Sequence, residues 1–535
     1  IGYIGPRHSS IGTAKPVVSV DIRSTEVSCA AVIGAYAAGG LIGEYDGSDS
    51  ASNAAEVTIS AAAIQYCSIE GTRGNVGTSA NYDNYGVGGL IGEMRGYKLA
   101  VGAADTAVSV SNTHVVSSAD SFNSSDATAL RNGMYAGGVI GCLKTTQAEL
   151  TGVSVVGIDG NDGSAPDFGE QTYQIKSGKA DAGGVIGKTV GAGKLTMKDI
   201  QVSGMHITAG DWDKDSSGEK IFASGGRAAG RVGGMIGANQ MELTIQGLDA
   251  GTVADEKGAE VANCMITASG SHVGGIIGAL ESSGSPNYLP DTSLEKVAVF
   301  DSIIGYNHED WFSCTDVGAG GIFGGIPNVA AHFNSHRLEN VSIEDCWIYG
   351  ANVGGVAGQS QNYAKLSSCT TGSETAAGIT VEGNAMYGCN AGGAIGKCSS
   401  TAVNFVGMEI KNNRLQAYGT QTAVPSAGGF CGYTDIGTNP DYRLDYISIE
   451  RNHILAANTA AAKKINAGGF FGYSNWKNCY IYRTDLKDNR IGYSETDHGA
   501  ELMNPNADSD SKTEMKLLQI LFGKDNGEIS AGNRE

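Results

Sequence analysis

The sequence predicts an all-β protein: a right-handed parallel β-helix, or β-solenoid, of about eleven coils, with three short strands per coil, long loop insertions and a short C-terminal capping helix. Three observations lead there. A glycine-rich word recurs along the 535-residue chain, and a strand-like word with a fixed break precedes most copies. Glycine, at 80 residues, stands at about twice its usual share, while proline numbers only nine, so the glycines answer a repeated backbone need rather than a collagen or proline-rich one.

The glycine word is [AV]-G-G-φ-x-G, with φ apolar. It ends at Gly43, Gly92, Gly141, Gly187, Gly237, Gly278, Gly324, Gly358, Gly396, Gly432 and Gly472. A recurrence of this kind, about 49 residues apart early and about 34 to 40 late, marks a repeat architecture. Read as the third strand of a coil, it places Gly39, Gly40 and Gly43, and later Gly354, Gly355, Gly392 and Gly393, where backbone bends or layers approach too closely for a Cβ.

The second word has apolar residues in period two, a one-residue change of phase, then an apolar residue again. VSIEDCWI (341–348), ITVEGNAM (379–386), MEIKNNRL (408–415) and ISIERNHI (447–454) are examples. Period-two alternation in β-branched runs is the mark of a half-buried strand, so the word predicts strand, corner, strand. The corner position runs Ala62, Thr113, Cys264, Ser302, Cys346, Asn384, Asn413, Asn452 and Asn489. Stacked asparagine amides can hydrogen-bond from coil to coil, which predicts an internal ladder in the late repeats. Residues 1–20 read as an N-terminal extension, 21–495 as the repeats and 496–535 as a tail. In that tail a capping-box sequence at Ser511 and Glu514, an apolar face of Met515, Leu518 and Phe522, and a stop at Gly523 predict a helix over about 511–522.

Composition narrows function. A net charge of −20 with scattered Lys and Arg argues against nucleic acid and anionic lipid, and no apolar run reaches membrane-spanning length, so no membrane insertion is expected. The chain opens on Ile1 without a leader, which reads as a mature chain or a fragment. Eleven cysteines without a CxxC pair favour neither zinc knuckles nor a fully paired disulfide framework.

Several stretches imitate chemical motifs. AGGVIGKT (182–189) comes within one residue of a phosphate-binding loop through Lys188 and Thr189. It lacks the first glycine and belongs to the eleven-fold word, so it reads as structure. GVGGLIG (86–92) only loosely imitates a dinucleotide loop. Asp211, Asp213 and Asp215 in DWDKD form a weak calcium candidate, since Ser216 and Phe222 replace the glycine and glutamate that an EF-hand loop needs. No other cofactor is indicated. His332 and His336 have zinc-like spacing only if helical, and Glu309 with Asp310, beside His308 and Trp311, is the most enzyme-like cluster for a polysaccharide substrate.

The recurring [AV]-G-G-[LVIMF]-[IF]-G words, with Cys, Ser or Asn at the strand corner, resemble the GLUG-motif repeats of bacterial surface proteins. The resemblance covers roughly residues 20 to 495. It implies a cell-surface or extracellular setting of the kind found in adhesin-like proteins and in non-catalytic regions of some immunoglobulin A peptidases. The peptidase activity is not implied, because no metallopeptidase motif is present. The long insertions depart from compact arrays of this family. The expectation is therefore a non-catalytic structural or adhesive protein that contacts host or microbial glycans or self-associates into fibres or layers. A polysaccharide-active enzyme and a calcium-dependent glycan-binding module are the alternatives.

Two adjacent apolar residues follow the glycines in most copies, and neighbours on a strand face opposite ways, so one of each pair is expected to point outward. The late repeats have less spare chain to cover such a stripe. Phe430, Phe470 and Phe471 are accordingly the expected assembly interface.

Overall fold

A computed structural model describes residues 1–4, 19–35, 37–47, 49, 54–72, 85–103, 106–117, 134–157, 173–178, 180–210, 213–214, 220–221, 230–247, 258–268, 271–282, 289–306, 317–327, 334–361, 364–368, 378–399, 402–419, 424–435, 442–458, 466–475, 479–494, 501–503 and 522–525. The described residues are strands and short connections, with no helix among them. They fall into two compact units: Ile1–Ser271 with Ile276–Asp291, and His272–Gly275 with Thr292–Glu535.

Each unit is built from three sheets of parallel, in-register strands, a β-solenoid-like arrangement. In unit 1 a short-strand sheet stacks Ala38–Gly39, Gly86–Gly88, Tyr135–Gly137, Ala182–Gly183 and Val232–Gly233. In unit 2 the same role falls to Val273–Gly274, Gly318–Gly320, Asn352–Gly354, Asn390–Gly392, Ser426–Gly428 and Asn466–Gly468. A long-strand sheet holds elements such as Glu56–Gln65 and Ile140–Val156 in unit 1, and Asn334–Glu344 and Ala402–Lys411 in unit 2. A third sheet holds the strands that follow the corner, such as His114–Ser117 in unit 1 and Trp347–Tyr349 in unit 2.

One coil of unit 2 shows how sequence becomes shape. Leu338, Val341, Ile343, Cys346 and Ile348 are all buried, so the inward side chain steps by two residues along the strand and by three at two places. Those places coincide with positive φ at Asn340 (52°) and Asp345 (51°). The second is the corner that the sequence pattern predicts. The first is a bulge inside one strand that it does not predict. Asn and Asp tolerate this backbone region best, yet Ala61, Lys296 and Tyr446 adopt it too, so the coil imposes the bulge against local preference. Ala62 sits beside such a bulge inside Glu56–Gln65. The corner side chain of its coil is Cys67, after Tyr66 at φ 55°.

The glycine word departs from its expected role as a single strand. It spans two strands and the sharp bend between them: Ala38–Gly39 belongs to the short sheet, Gly40 and Leu41 form the bend, and Ile42–Asp46 opens the long sheet. Because the chain turns between them, Leu41 and Ile42 both face the core. The same holds for Phe430 with Cys431 and for Phe470 with Phe471, all of them buried. Phe430 stacks on Phe470 at 5.2 Å and meets Phe471 edge-on at 6.0 Å. The outward apolar stripe therefore does not form, and Phe430, Phe470 and Phe471 are core residues rather than an assembly surface. The strand-alternation rule fails here because a bend separates the two neighbours.

The same bend explains the glycines. A Cβ on Gly392 would lie 2.0 Å from the Ile395 carbonyl oxygen and 2.6 Å from the Gly432 nitrogen, and one on Gly393 would lie 2.1 Å from the Gly429 oxygen. Gly354 and Gly355, like Gly39, Gly40 and Gly43, face backbone atoms at 2.1 to 2.5 Å. No backbone can yield at that distance, so these sites need hydrogen in place of a side chain.

At the C-terminus the helix expected over 511–522 falls, up to residue 521, outside the described residues. Phe522–Asp525 is a strand in register with Phe471–Asn475, Phe522 opposite Phe471. LFG at 521–523 repeats the ending of the glycine word, so register with the preceding coil prevails over the helical face read around Phe522. Glu501–Met503 pairs antiparallel with Arg490–Ser494 and closes that sheet of unit 2.

Gly392→Val is expected to destabilise the protein by about 2–4 kcal/mol, measured by denaturant unfolding. Phe471→Asp buries a lone carboxylate, so it should abolish the folded circular dichroism of unit 2 rather than disperse an assembly.

Candidate functional site

Three polar constructions interrupt the apolar interior. The first is the corner ladder of unit 2, where Asn384, Asn413, Asn452 and Asn489 are buried one above another. The backbone N–H of Asn384 donates to Oδ1 of Asn413 at 2.9 Å, that of Asn413 to Oδ1 of Asn452, and that of Asn452 to Oδ1 of Asn489. Each Nδ2 in this series also donates to the next Oδ1 at 3.0 Å. The Cys346 N–H starts the chain by donating to Oδ1 of Asn384. At the corner the backbone N–H leaves the sheet ladder, and a buried donor without an acceptor costs about 1–3 kcal/mol, so each amide replaces a lost strand bond. In unit 1 Thr113 does the same for the Cys67 N–H, at 3.4 Å.

A second ladder lies on the short sheet and was not singled out from the sequence. Asn390 donates to Oδ1 of Asn352 at 2.7 Å, and Asn466 donates to the Ser426 hydroxyl at 3.1 Å. Its signal was available as NVGG, NAGG, SAGG and NAGG, in which the residue two places before the paired glycines is polar and small.

The third construction is a charge cluster in unit 1, the most site-like group among the described residues. Lys188 and Asp181 are buried, and Arg231 and Glu281 are mostly so. Arg231 holds Asp181 through two parallel hydrogen bonds, Nε to Oδ1 at 2.8 Å and an Nη to Oδ2 at 2.9 Å, and also binds Glu281. Lys188 lies 2.9 Å from Glu281, 3.8 Å from Asp181 and 5.0 Å from the centre of the Tyr135 ring. Gln240 donates at 3.0 Å to Oε2 of Glu281, the oxygen that Lys188 also contacts, while Arg231 holds Oε1.

These residues meet because Tyr135, Asp181, Lys188 and Arg231 stand beside the glycine words of their own coils and Glu281 follows the strand Ile277–Leu280 that opens from one. Lys188 follows Gly187, Tyr135 and Asp181 precede or open short-sheet strands, and Cys142 is opposite Lys188 in register. Burial alone would raise the Glu281 pKa, but Arg231 and Lys188 outweigh it and hold the carboxyl down to about 2. For Lys188 burial alone would lower the pKa, and Tyr135, Asp181 and Glu281 reverse that, so the ammonium stays charged. Burial pushes the Tyr135 phenol up to about 12. Two cations and two anions balance, and each is engaged. The arrangement suits a structural ion-pair network, with no proton poised for transfer near neutral pH.

The motif imitations resolve accordingly. Thr189, beside Lys188, is buried and donates its hydroxyl to Oδ1 of Asn239 at 2.7 Å, so neither residue faces a phosphate site. No helix follows Gly86–Gly88, which leads through a bend into strand Ile91–Val101. His336 is buried in strand Asn334–Glu344 with its ring 6.1 Å from that of Phe323. His332, Glu309, Asp310, His308, Trp311, Asp211 and Asp215 lie outside the described residues, and Asp213–Lys214 forms a two-residue antiparallel pair with Lys220–Ile221. Among the described residues no three His, Cys, Asp or Glu side chains come together as a metal site, and the cysteines form no disulfide. No family model matches the chain, and no match was found among curated proteins or solved structures.

Asn413→Leu removes the acceptor of the buried Asn384 N–H and should cost about 3 kcal/mol in denaturant unfolding. Glu281→Gln leaves Arg231 and Lys188 short of one negative charge and should cost about 3 kcal/mol at pH 7. Because the folded carboxyl titrates near 2, below its ordinary 4.5, its contribution is complete above pH 4.5 and fades as pH falls toward 2. The gap in stability between wild type and variant should close over that window.

Proposed function

We propose that the protein is a non-catalytic extracellular scaffold: a right-handed β-solenoid with one coil for each of the eleven glycine words, serving as an adhesin stalk or as a subunit of a surface layer or filament. The observation that supports it most is the Asn384–Asn489 ladder, whose buried amides are committed to holding one coil to the next. A chain that spends its buried polar groups on coil-to-coil bonds is organised for rigidity along the stack. The insertions between strands vary from coil to coil and are left to carry recognition. The resemblance to GLUG-motif repeats supports the same setting. Self-association, on this reading, uses loops or sheet faces, since the phenylalanines of the late coils are internal.

Two measurements test the proposal. Antibodies against the protein are expected to label intact, unpermeabilised source cells, and labelling that requires permeabilisation would refute the extracellular reading. Incubation with plant, mucin and microbial polysaccharides should release no oligosaccharide. Release that Glu309→Gln abolishes would make the protein an enzyme instead.

A further inference from the structure

The outer face of one sheet in unit 2 brings aromatic and arginine side chains together without an acidic one. Its strands Trp347–Tyr349, Ala385–Gly388, Arg414–Gly419, His453–Asn458 and Arg490–Ser494 contain no Asp or Glu, in a chain that has 56 of them. In-register pairing sets Trp347, Ala385, Arg414, His453 and Arg490 in one row across consecutive coils. Trp347 is 53% exposed, and Arg414 and Arg490 are exposed as well. Two residues on, Tyr349 stacks on Tyr387 with centroids 5.3 Å apart and planes 13° from parallel. Trp347 lies 6.3 Å from Tyr349, and the Arg414 guanidinium is 5.8 Å from the Tyr387 ring centre.

The face thus joins an aromatic platform to two arginines that flank His453, whose own pKa burial and the two guanidinium groups hold below its ordinary value. Among the described residues neither Arg414 nor Arg490 has an ion-pair partner. Beyond the corner the carboxylates Glu382, Glu409 and Glu450 are engaged by Lys411 and Lys487, while Asp345 and Asp488 stand at the corner itself. The matching row of unit 1, Ala31–Ser68–His114 and Gln174–His206–Met265, has no arginine and no tryptophan, so the face is a local feature rather than a consequence of the repeat.

We propose that this face, from Trp347 to Arg490, binds an acidic glycan: a polysaccharide whose sugars carry carboxylate or sulfate groups. Sugar rings present flat faces of C–H bonds that stack on exposed aromatic rings, and Trp347 supplies one, beside the half-buried Tyr349–Tyr387 stack. Guanidinium groups pair with carboxylate or sulfate in a two-pronged geometry, and Arg414 and Arg490 supply those. Arg414 and Arg490 stand two coils apart with His453 between them, a separation of about 9.6 Å set by strand pairing and comparable to the advance of a polysaccharide over two sugars. A linear polymer that carries acids along its length can therefore reach both arginines while one of its sugars lies on Trp347, and several weak contacts act together. The inference rests on this folded face alone and stands or falls separately from the scaffold reading.

The test uses the full chain in affinity electrophoresis and titration calorimetry with polygalacturonate as the carboxylate probe, heparin as the sulfate probe, and dextran and duplex DNA as controls. Binding is expected to one or both acidic glycans and not to dextran. It should weaken at least tenfold in Arg414→Gln/Arg490→Gln and in Trp347→Ala, with unchanged circular dichroism and melting temperature, since all three side chains are exposed. A response to polygalacturonate alone assigns the carboxylate source, and one to heparin alone assigns the sulfate source. Failure to bind either glycan overturns the proposal, as does wild-type affinity in both variants. DNA binding equal to glycan binding, with Trp347→Ala silent, would reduce the face to a general polyanion patch and overturn the glycan assignment.

Discussion

A parallel coil must turn corners, and each turn takes a backbone N–H out of the sheet ladder that satisfied it. The rest of unit 2 depends on how that donor is recovered. Asn384, Asn413, Asn452 and Asn489 offer an acceptor to the N–H of the corner in the preceding coil, and the spare amide hydrogens bond carbonyls such as those of Val381, Ile410 and Ile449. This solution works only if every coil turns at the same place. The amide chain therefore fixes register, and register in turn brings Val341, Ile379, Met408 and Ile447 into one buried column. Cys264 and Cys346 show the weaker form of the device: their thiols contact carbonyls of an earlier strand at 3.7 Å in each case.

In-register stacking also decides where charge can be tolerated. Glu44, Glu93, Cys142, Lys188, Ala238 and Ala279 occupy one register position in successive coils of unit 1, directly after the last glycine of the word. A bend that brings the short sheet close to the start of the long one buries that position, so a charge there requires a partner of opposite sign nearby, in its own coil or another. Lys188 finds such partners in Asp181 and Glu281, and Glu93 finds one in Arg95. What looks like a phosphate-loop lysine in the sequence is a lysine held by carboxylates in the folded chain.

The repeat, the β class, the position of the corner at Asn384, Asn413, Asn452 and Asn489, and the need for glycine at Gly39, Gly354 and Gly392 were legible in the residues. Each of these follows from a rule that acts within a few neighbours: period-two burial, the chemistry of an amide, the absence of a Cβ. The face that joins Trp347 to Arg490 was not legible. Its members come from coils 29 to 39 residues apart, and only strand register makes them adjacent.

The direction of the paired apolar residues marks the same boundary. Sequence alone determined that a glycine word would bend the backbone and that two apolar residues would follow it. It could not determine that the bend falls between Gly40 and Ile42 and so turns both Leu41 and Ile42 inward, because side-chain direction after a bend depends on the angle between two sheets. That angle is set by packing among coils. Sequence thus determined the parts of each coil, through local backbone chemistry. Tertiary structure decided which side chains of different coils meet, because parallel pairing alone carries the register from one coil to the next.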